Sequence, residues 1–347
     1  MPGTRGRIRP PTIQTLSLAP ALPLVPVAAA LACAAVLFML LRRTDWLPLD
    51  QPNERSLHAA PVPRIGGLGV IAGTLLAFLL LHAEPVLGAL VLALAVVSFL
   101  DDRSHLPVAF RFAAHAAAAV AFVAIALPDA PVIGQAAAAL AIVWMTNLYN
   151  FMDGSDGLAG GMALFGFAAY ALAGWLAGDG ILAALAASVA AAAAAFLAFN
   201  FPPARVFMGD AGAIPLGFLA AALGLIGWRE AYWPIWFPVL VFSPFILDAS
   251  VTLARRALRG ERFWEAHKIH YYQRLVQLGW GHRNTALAEY SLMAACGAAA
   301  LWALGRSPVD QWLAVGVMAA LYAVLAATID LAWRRRHEGI RDDASAR

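Results

Sequence analysis

The chain predicts an all-α fold, a polytopic membrane helix bundle, and three observations carry that prediction. Its 347 residues are 62% apolar and only 13% charged, a balance that excludes an ordinary soluble domain. Eleven stretches approach the ~20 apolar residues that a membrane-crossing helix needs. They lie near 24–41, 66–82, 85–100, 108–127, 133–150, 158–178, 181–200, 213–228, 234–256, 286–304 and 311–333. Of the 24 Lys and Arg, 19 belong to the segments that follow odd-numbered stretches and 5 to the other side. Because cytoplasmic segments collect Lys and Arg, this asymmetry puts the N-terminus outside and the C-terminus in the cytoplasm. The net charge of +3 is therefore a topology signal with some attraction to anionic headgroups, and it argues for no nucleic-acid partner.

Taken in order, residues 1–23 form a short N-terminal segment whose Arg5, Arg7 and Arg9 imitate a signal peptide. No cleavage site precedes Arg42 and Arg43, so the first stretch is expected to be retained. One membrane domain then runs over 24–333, its longest cytoplasmic loop at 257–285, followed by a basic tail at 334–347. Cys33 and Cys296 stand alone in apolar stretches and are expected to be inert buried thiols. The loop after the first stretch reads Asp50-Gln51-Pro52-Asn53-Glu54-Arg55-Ser56-Leu57-His58, then Pro63-Arg64 and Gly66-Gly67. Arg55, His58 and Arg64 could hold phosphate, although a polar Pro-rich loop is the ordinary expectation. The third stretch ends in Asp101-Asp102. Two adjacent carboxylates at a membrane boundary repel each other and suit a metal ligand or general base.

The densest polar stretch is Asn147-Leu-Tyr-Asn150-Phe-Met-Asp153-Gly-Ser-Asp156-Gly, which closes the fifth apolar run. Carboxylates and amide oxygens are hard ligands suited to Mg²⁺ or Mn²⁺, and glycines let a phosphate approach the backbone. Met208-Gly209-Asp210-Ala211-Gly212 opens the eighth stretch and offers another such ligand. Asp248 lies inside the ninth, where pairing with Arg255 or Arg256 competes with a substrate role. In the long basic loop His267, His270 and Arg274 are spaced to share one face of a helix, able to cradle a diphosphate or to lie on headgroups. Within the fourth stretch His115 reads as a packing or lipid-facing residue, and the last two stretches carry little polar material. Every cluster follows an odd-numbered stretch, so all of them would build one cytoplasm-facing site.

Taken together the clusters resemble the polyprenyl-phosphate N-acetylhexosamine-1-phosphate transferases, glycosyltransferase family 4. The resemblance rests on Asp-x-Pro-Asn-Glu-Arg-Ser-x-His with Pro-Arg-x-Gly-Gly at 50–67, Asp-Asp at 101–102, Asn-x-x-Asn-x-x-Asp-Gly-x-Asp-Gly-Leu-Ala at 147–159, Met-Gly-Asp-x-Gly at 208–212, Asp248 and the late histidines. It implies transfer of an N-acetylhexosamine-1-phosphate from a UDP-sugar to undecaprenyl phosphate, releasing UMP and requiring Mg²⁺. By that resemblance Asp210 and Asp153 would be metal ligands and Asp101 or Asp102 would deprotonate or orient the lipid phosphate. Asn150, Asp153 and Asp156 would line the nucleotide pocket, and His267 and His270 would bind the diphosphate. Asn53, Arg55, Arg64, Asn147, Asp248 and Arg274 complete the expected substrate contacts. It further implies a bacterial inner-membrane enzyme with a cytoplasm-facing site, initiating O-antigen, capsule or other surface polysaccharide; a homodimer stays open.

Two departures matter. Ala213 replaces a customary Ser after Met-Gly-Asp-x-Gly, and the late motif His-x-x-His-x-Tyr-Gln-Arg-Leu lacks the triple histidine of the peptidoglycan branch, which disfavours a phospho-MurNAc-pentapeptide substrate. N-acetylglucosamine and a 6-deoxy relative such as N-acetylfucosamine or N-acetylquinovosamine both stay open. The rival from another class is a secondary transporter, which would place its acids near mid-membrane and often show inverted repeats.

Overall fold

The computed structural model describes residues 22–42, 48–51, 61–262 and 267–345. Asn53, Arg55 and His58 therefore lie outside the described residues. Every expected apolar stretch is helical: α1 (Leu24–Leu41), α2 (Gly66–Leu81), α3 (Pro85–Ser104), α4 (Val108–Ala126), α5 (Val132–Phe151), α6 (Leu158–Leu176), α7 (Gly180–Asn200) and α8 (Asp210–Arg229) come first. They are followed by α9 (Trp236–Val241), α10 (Ser243–Leu258), the short α11 (Tyr271–Leu275), a π-helical turn at Val276–Trp280, α12 (Gly281–Ala303) and α13 (Pro308–Ser345). Among the described residues nine helices are long and apolar enough to cross a membrane, counting 271–303 as one. The two shortfalls from eleven have local causes. α2 is apolar but only 16 residues long. The ninth stretch is broken between α9 and α10, where Pro244 opens a new helix and cannot continue the preceding hydrogen-bond ladder.

The bundle is organised around α8, almost every residue of which is buried, from Ala211 through Gly227. α3 and α5 pack on it, α6 packs with α7, and α1 packs with α2 and α7. By contrast α13 turns large side chains such as Val309, Trp312, Val317 and Val324 outward, as a helix bordered by lipid does. The other shift in boundaries bears directly on function. α3 continues past its apolar run to Ser104, so Asp101 and Asp102 occupy its last turn. Likewise α8 begins at Asp210 itself, placing that carboxylate in the first turn, where backbone N–H groups point outward.

The only sheet among the described residues is a two-stranded antiparallel ribbon, β1 (Leu49–Asp50) with β2 (Val62–Pro63). It feeds a backbone seam between two distant motifs. The Phe207 N–H donates to Pro63 O (2.9 Å), Gly66 N–H to Phe207 O (2.8 Å) and Gly67 N–H to Met208 O (2.8 Å). Gly67 and Gly212 meet backbone to backbone, with no room for a Cβ on either. The seam sets Arg64 beside Gly209 and Asp210, one turn of chain from the end of α3.

Candidate active site

Four carboxylates converge at this end of the bundle. Asp101 is buried and fully engaged, accepting from Leu106 N–H (2.7 Å) and from Arg111 Nη1 (2.7 Å). The chain reverses at Leu106–Pro107, which returns Arg111, in the first turn of α4, against the end of α3. Arg111 Nη1 also lies 3.8 Å from Asp210 Oδ2. Asp102 accepts from Ala211 N–H (3.3 Å), and its other oxygen is 3.8 Å from Arg64 Nη1. Arg64 is anchored in turn by Asp50 at 2.8 Å. The Asn150 amide and the Gly209 N–H lie close enough to Asp210 and Asp153, respectively, to favour their ionised forms. Gly209 has φ 72°, and a Cβ there would lie 3.1 Å from Asp102 Oδ2 and 3.3 Å from Arg64 Cβ, so the position is suited only to glycine.

Asp153 follows α5 in the loop, partly buried. Its carboxyl is held well above the usual carboxylate range, first by burial and then by the charges of Asp210 and Asp102, with Arg64 opposing. A centre of two arginines among four aspartates is thus short of positive charge, which a divalent cation would supply. No three carboxylates among the described residues are spaced to hold an ion by themselves.

Arg64, Asp101, Asp102, Arg111 and Asp210 line a polar recess of about 170 Å³. Asp101, Arg111 and Asp210 also border a second space of about 570 Å³, walled by Val97, Phe112, Leu140, Val143, Trp144 and Leu253. His115, Asn147 and Asn150 edge that groove. His115 is buried there, rather than facing lipid. One site therefore joins a charged pocket to an apolar trough.

The remaining expected residues are placed differently. Asp156 accepts from Ala204 N–H (2.9 Å) and lies 3.7 Å from His282 Nδ1, tying together the loops after α5 and α7 rather than joining the four carboxylates. Asp248 does not pair with Arg255 or Arg256. It accepts from Tyr271 N–H (2.9 Å), Tyr272 N–H (3.0 Å) and Thr252 Oγ1 (3.2 Å), and lies 3.2 Å from His270 Nδ1. The expected helical face of His267, His270 and Arg274 does not form, because the helix begins only at Tyr271 and His270 caps it. Arg274 instead bonds Asp330 (2.7 Å) and Ile269 O (2.8 Å). His267 stacks obliquely on His270, with ring centroids 4.8 Å apart. Burial, then His270 and Arg256, push its pKa down to about 4, so the ring is neutral at pH 7 and offers a hydrogen bond rather than a charge. Tyr272 reaches back to Phe151 O (3.3 Å), which brings the histidine loop against the Asp153 loop.

Known proteins are similar to this chain in sequence. A sequence model described as glycosyl transferase family 4 matches residues 85–227. A probable undecaprenyl-phosphate N-acetylglucosaminyl 1-phosphate transferase of Bacillus subtilis is 30% identical over 264 residues, covering 70% of this chain and 73% of that protein. The chain belongs to glycosyl transferase family 4. A decaprenyl-phosphate N-acetylglucosaminephosphotransferase of Mycobacterium tuberculosis is also 30% identical, covering 69% of this chain and 71% of its own. A phospho-N-acetylmuramoyl-pentapeptide-transferase of Moorella thermoacetica is 34% identical over a shorter stretch, 48% of this chain and 51% of that protein.

Two site residues of this family 4 member escaped the sequence reading. Arg111 sits in an apolar stretch and was counted only as a topology charge. Asp330 lies in the last stretch, which reads as featureless, yet it binds Arg255 (2.8 Å), Arg274 (2.7 Å) and Tyr271. The available signal was the same for both: an ionisable residue inside an apolar run requires a partner.

Proposed function

We propose that this family 4 protein transfers an N-acetylhexosamine-1-phosphate from a UDP-sugar to a polyprenyl phosphate such as undecaprenyl phosphate, releasing UMP. One observation carries the reading: the charged recess and the apolar groove share Asp101, Arg111 and Asp210. A lipid phosphate needs both environments at once, its chain in the groove and its head among the cations. In the reaction a lipid-phosphate oxygen bonds to the phosphorus that carries the sugar, and the bond from that phosphorus to UMP breaks. Such transfers depend on charge neutralisation and in-line positioning. Arg111 holds the lipid phosphate at the junction, Arg64 faces the nucleotide diphosphate, and Asp102 orients the attacking phosphate. Asp210 and Asp153 would hold Mg²⁺, which supplies charge stabilisation for the transferring phosphoryl group. His267 and His270 lie next to the Asp153 loop and offer ring N–H donors to the diphosphate, His267 as a neutral ring. The expected orientation puts this site on the cytoplasmic face, where UDP-sugars are made, and the product fits the start of a surface polysaccharide. Asp248, set deeper in its helix than the other expected acids, is consumed by capping the start of α11, which counts against a carrier-type role for it.

The test is UMP release by purified protein given undecaprenyl phosphate, Mg²⁺ and a panel of UDP-N-acetylhexosamines. Release is expected only with all three components, and Asp210→Asn should lower it at least about 100-fold with insertion intact. Turnover near wild type in that variant would remove Asp210 from the metal site. Absence of release with every sugar nucleotide would sink the proposal.

A further inference from the structure

A second space, a half-open cleft, lies between α10, α12 and α13. It measures about 500 Å³, within the range of small-molecule sites. Its walls are apolar, with Leu247, Val251, Leu292, Leu325 and Ile329 among them. Its polar groups are all spoken for except one. Asp248 is engaged by the start of α11. Arg255 and Tyr271 bond Asp330. Tyr322 shares a hydrogen bond with Ser243 Oγ (2.7 Å) and lies 3.2 Å from Cys296 Sγ. Glu289 lines the same space and finds no hydrogen-bonding or ionic partner among the described residues. It sits eight residues into α12, about 12 Å along the helix from Gly281. Asp248, a second carboxylate, lines the same space.

A carboxyl within an apolar span is costly, and such residues mark ligand or ion pathways when no protein partner answers them. The transferase reading gives Glu289 no task. Charge complementarity decides the class of ligand: an unpartnered carboxyl sharing an apolar chamber with a second carboxylate calls for a cation carried on a chain.

We propose that the chamber between α10, α12 and α13 binds an ammonium-headed amphiphile, its head against Glu289 and its alkyl chain along Leu247, Leu292 and Leu325. The proposal rests on observations separate from those that carry the transferase reading. Trp280 also lines the chamber and supplies a reporter, because a bromine atom on a bound chain quenches a nearby indole.

The experiment titrates the full-length protein in detergent with ω-bromoundecylamine, ω-bromoundecanol and ω-bromoundecanoic acid. The amine is expected to quench saturably, whereas the alcohol and the acid give only the shallow linear quench of micellar partition. Trp280→Phe should remove the saturable phase, and Glu289→Gln should raise the half-saturation concentration at least ten-fold. Ala326→Phe, which fills the chamber from the opposite wall and leaves the carboxyl in place, should abolish saturation and serves if the glutamine variant does not fold. Equal saturation by amine and alcohol, stronger saturation by the acid, or unchanged binding in Ala326→Phe would each overturn the proposal.

Discussion

Replacing Asp248 by alanine removes the acceptor for three donors at once, two backbone N–H groups at the start of α11 and the Thr252 hydroxyl, and takes away the contact of the His270 ring. The two backbone groups are buried, with Tyr272 fully enclosed. Leaving a buried donor unpaired costs about 1–3 kcal/mol, so the pair alone amounts to roughly 2–6 kcal/mol. Asp248→Asn keeps one oxygen for one N–H and turns an NH₂ toward the other, so it should lose roughly half of that. Cys33 and Cys296 are both buried, which makes a thiol-reactive fluorophore a direct reporter of unfolding. Asp248→Ala should unfold on the order of 5–10 °C below wild type, with Asp248→Asn between them. Because the cap also holds His270 in place, UMP release should fall with stability in the same order. Wild-type unfolding temperature in the alanine variant, with only the KM for the sugar nucleotide altered, would refute the capping argument and return Asp248 to the substrate.

Three further outcomes follow from the same geometry. Gly209→Ala forces a positive φ on a residue with a Cβ, a strain of about 1–2 kcal/mol, and pushes that Cβ toward Asp102 and Arg64. UMP release should fall at least ten-fold while the unfolding temperature drops by only a few degrees, and activity within two-fold of wild type would contradict the packing. Arg111→Ala strips Asp101 of its 2.7 Å partner and removes the only arginine shared by recess and groove, so kcat/KM for the lipid phosphate should fall about 100-fold. Arg111→Lys should recover part of it, measured by initial rates at varied lipid concentration. His267 should titrate near pH 4 by NMR and move toward its ordinary value in Arg256→Gln, since that cation is one of its perturbers. The unfolded ring takes its proton near pH 6.5 and the folded ring does not until about 4, so stability falls as pH drops through this window. The span corresponds to at most about 3 kcal/mol, and screening of a partly exposed ring reduces it to about 1.

The helices were legible in the sequence because lipid leaves little choice: an apolar run must satisfy its own backbone, and only a helix does that locally. Their ends were less so. Hydropathy stops at the last apolar residue, but α3 and α8 run on through Asp101, Asp102 and Asp210, because an ionised side chain at a helix terminus meets water or a cation and need not end the helix. The convergence of the Arg64, Asp102, Asp153 and Asp210 motifs was inferred from sidedness alone, and the backbone seam from Pro63 to Met208 gives it a physical cause.

What the sequence could not reveal was how each polar group is spent. A spacing of three between His267 and His270 is compatible with a helical turn, yet the chain there is a loop whose end is fixed by a carboxylate twenty-odd residues earlier. Arg274 and Arg255 look like free basic residues and are bound to an aspartate in the last helix. In each case the deciding interaction is long-range and the competing choices are equal in local propensity. The intramembrane carboxylates are the instructive group: Asp248, Asp330 and Glu289 all read alike in one dimension. The first caps a helix and the second binds two arginines, whereas the third has no protein partner among the described residues. The rule that a buried charge must be answered is therefore more useful in reverse, since two of the three locate their partners and the third locates a chamber with room for one.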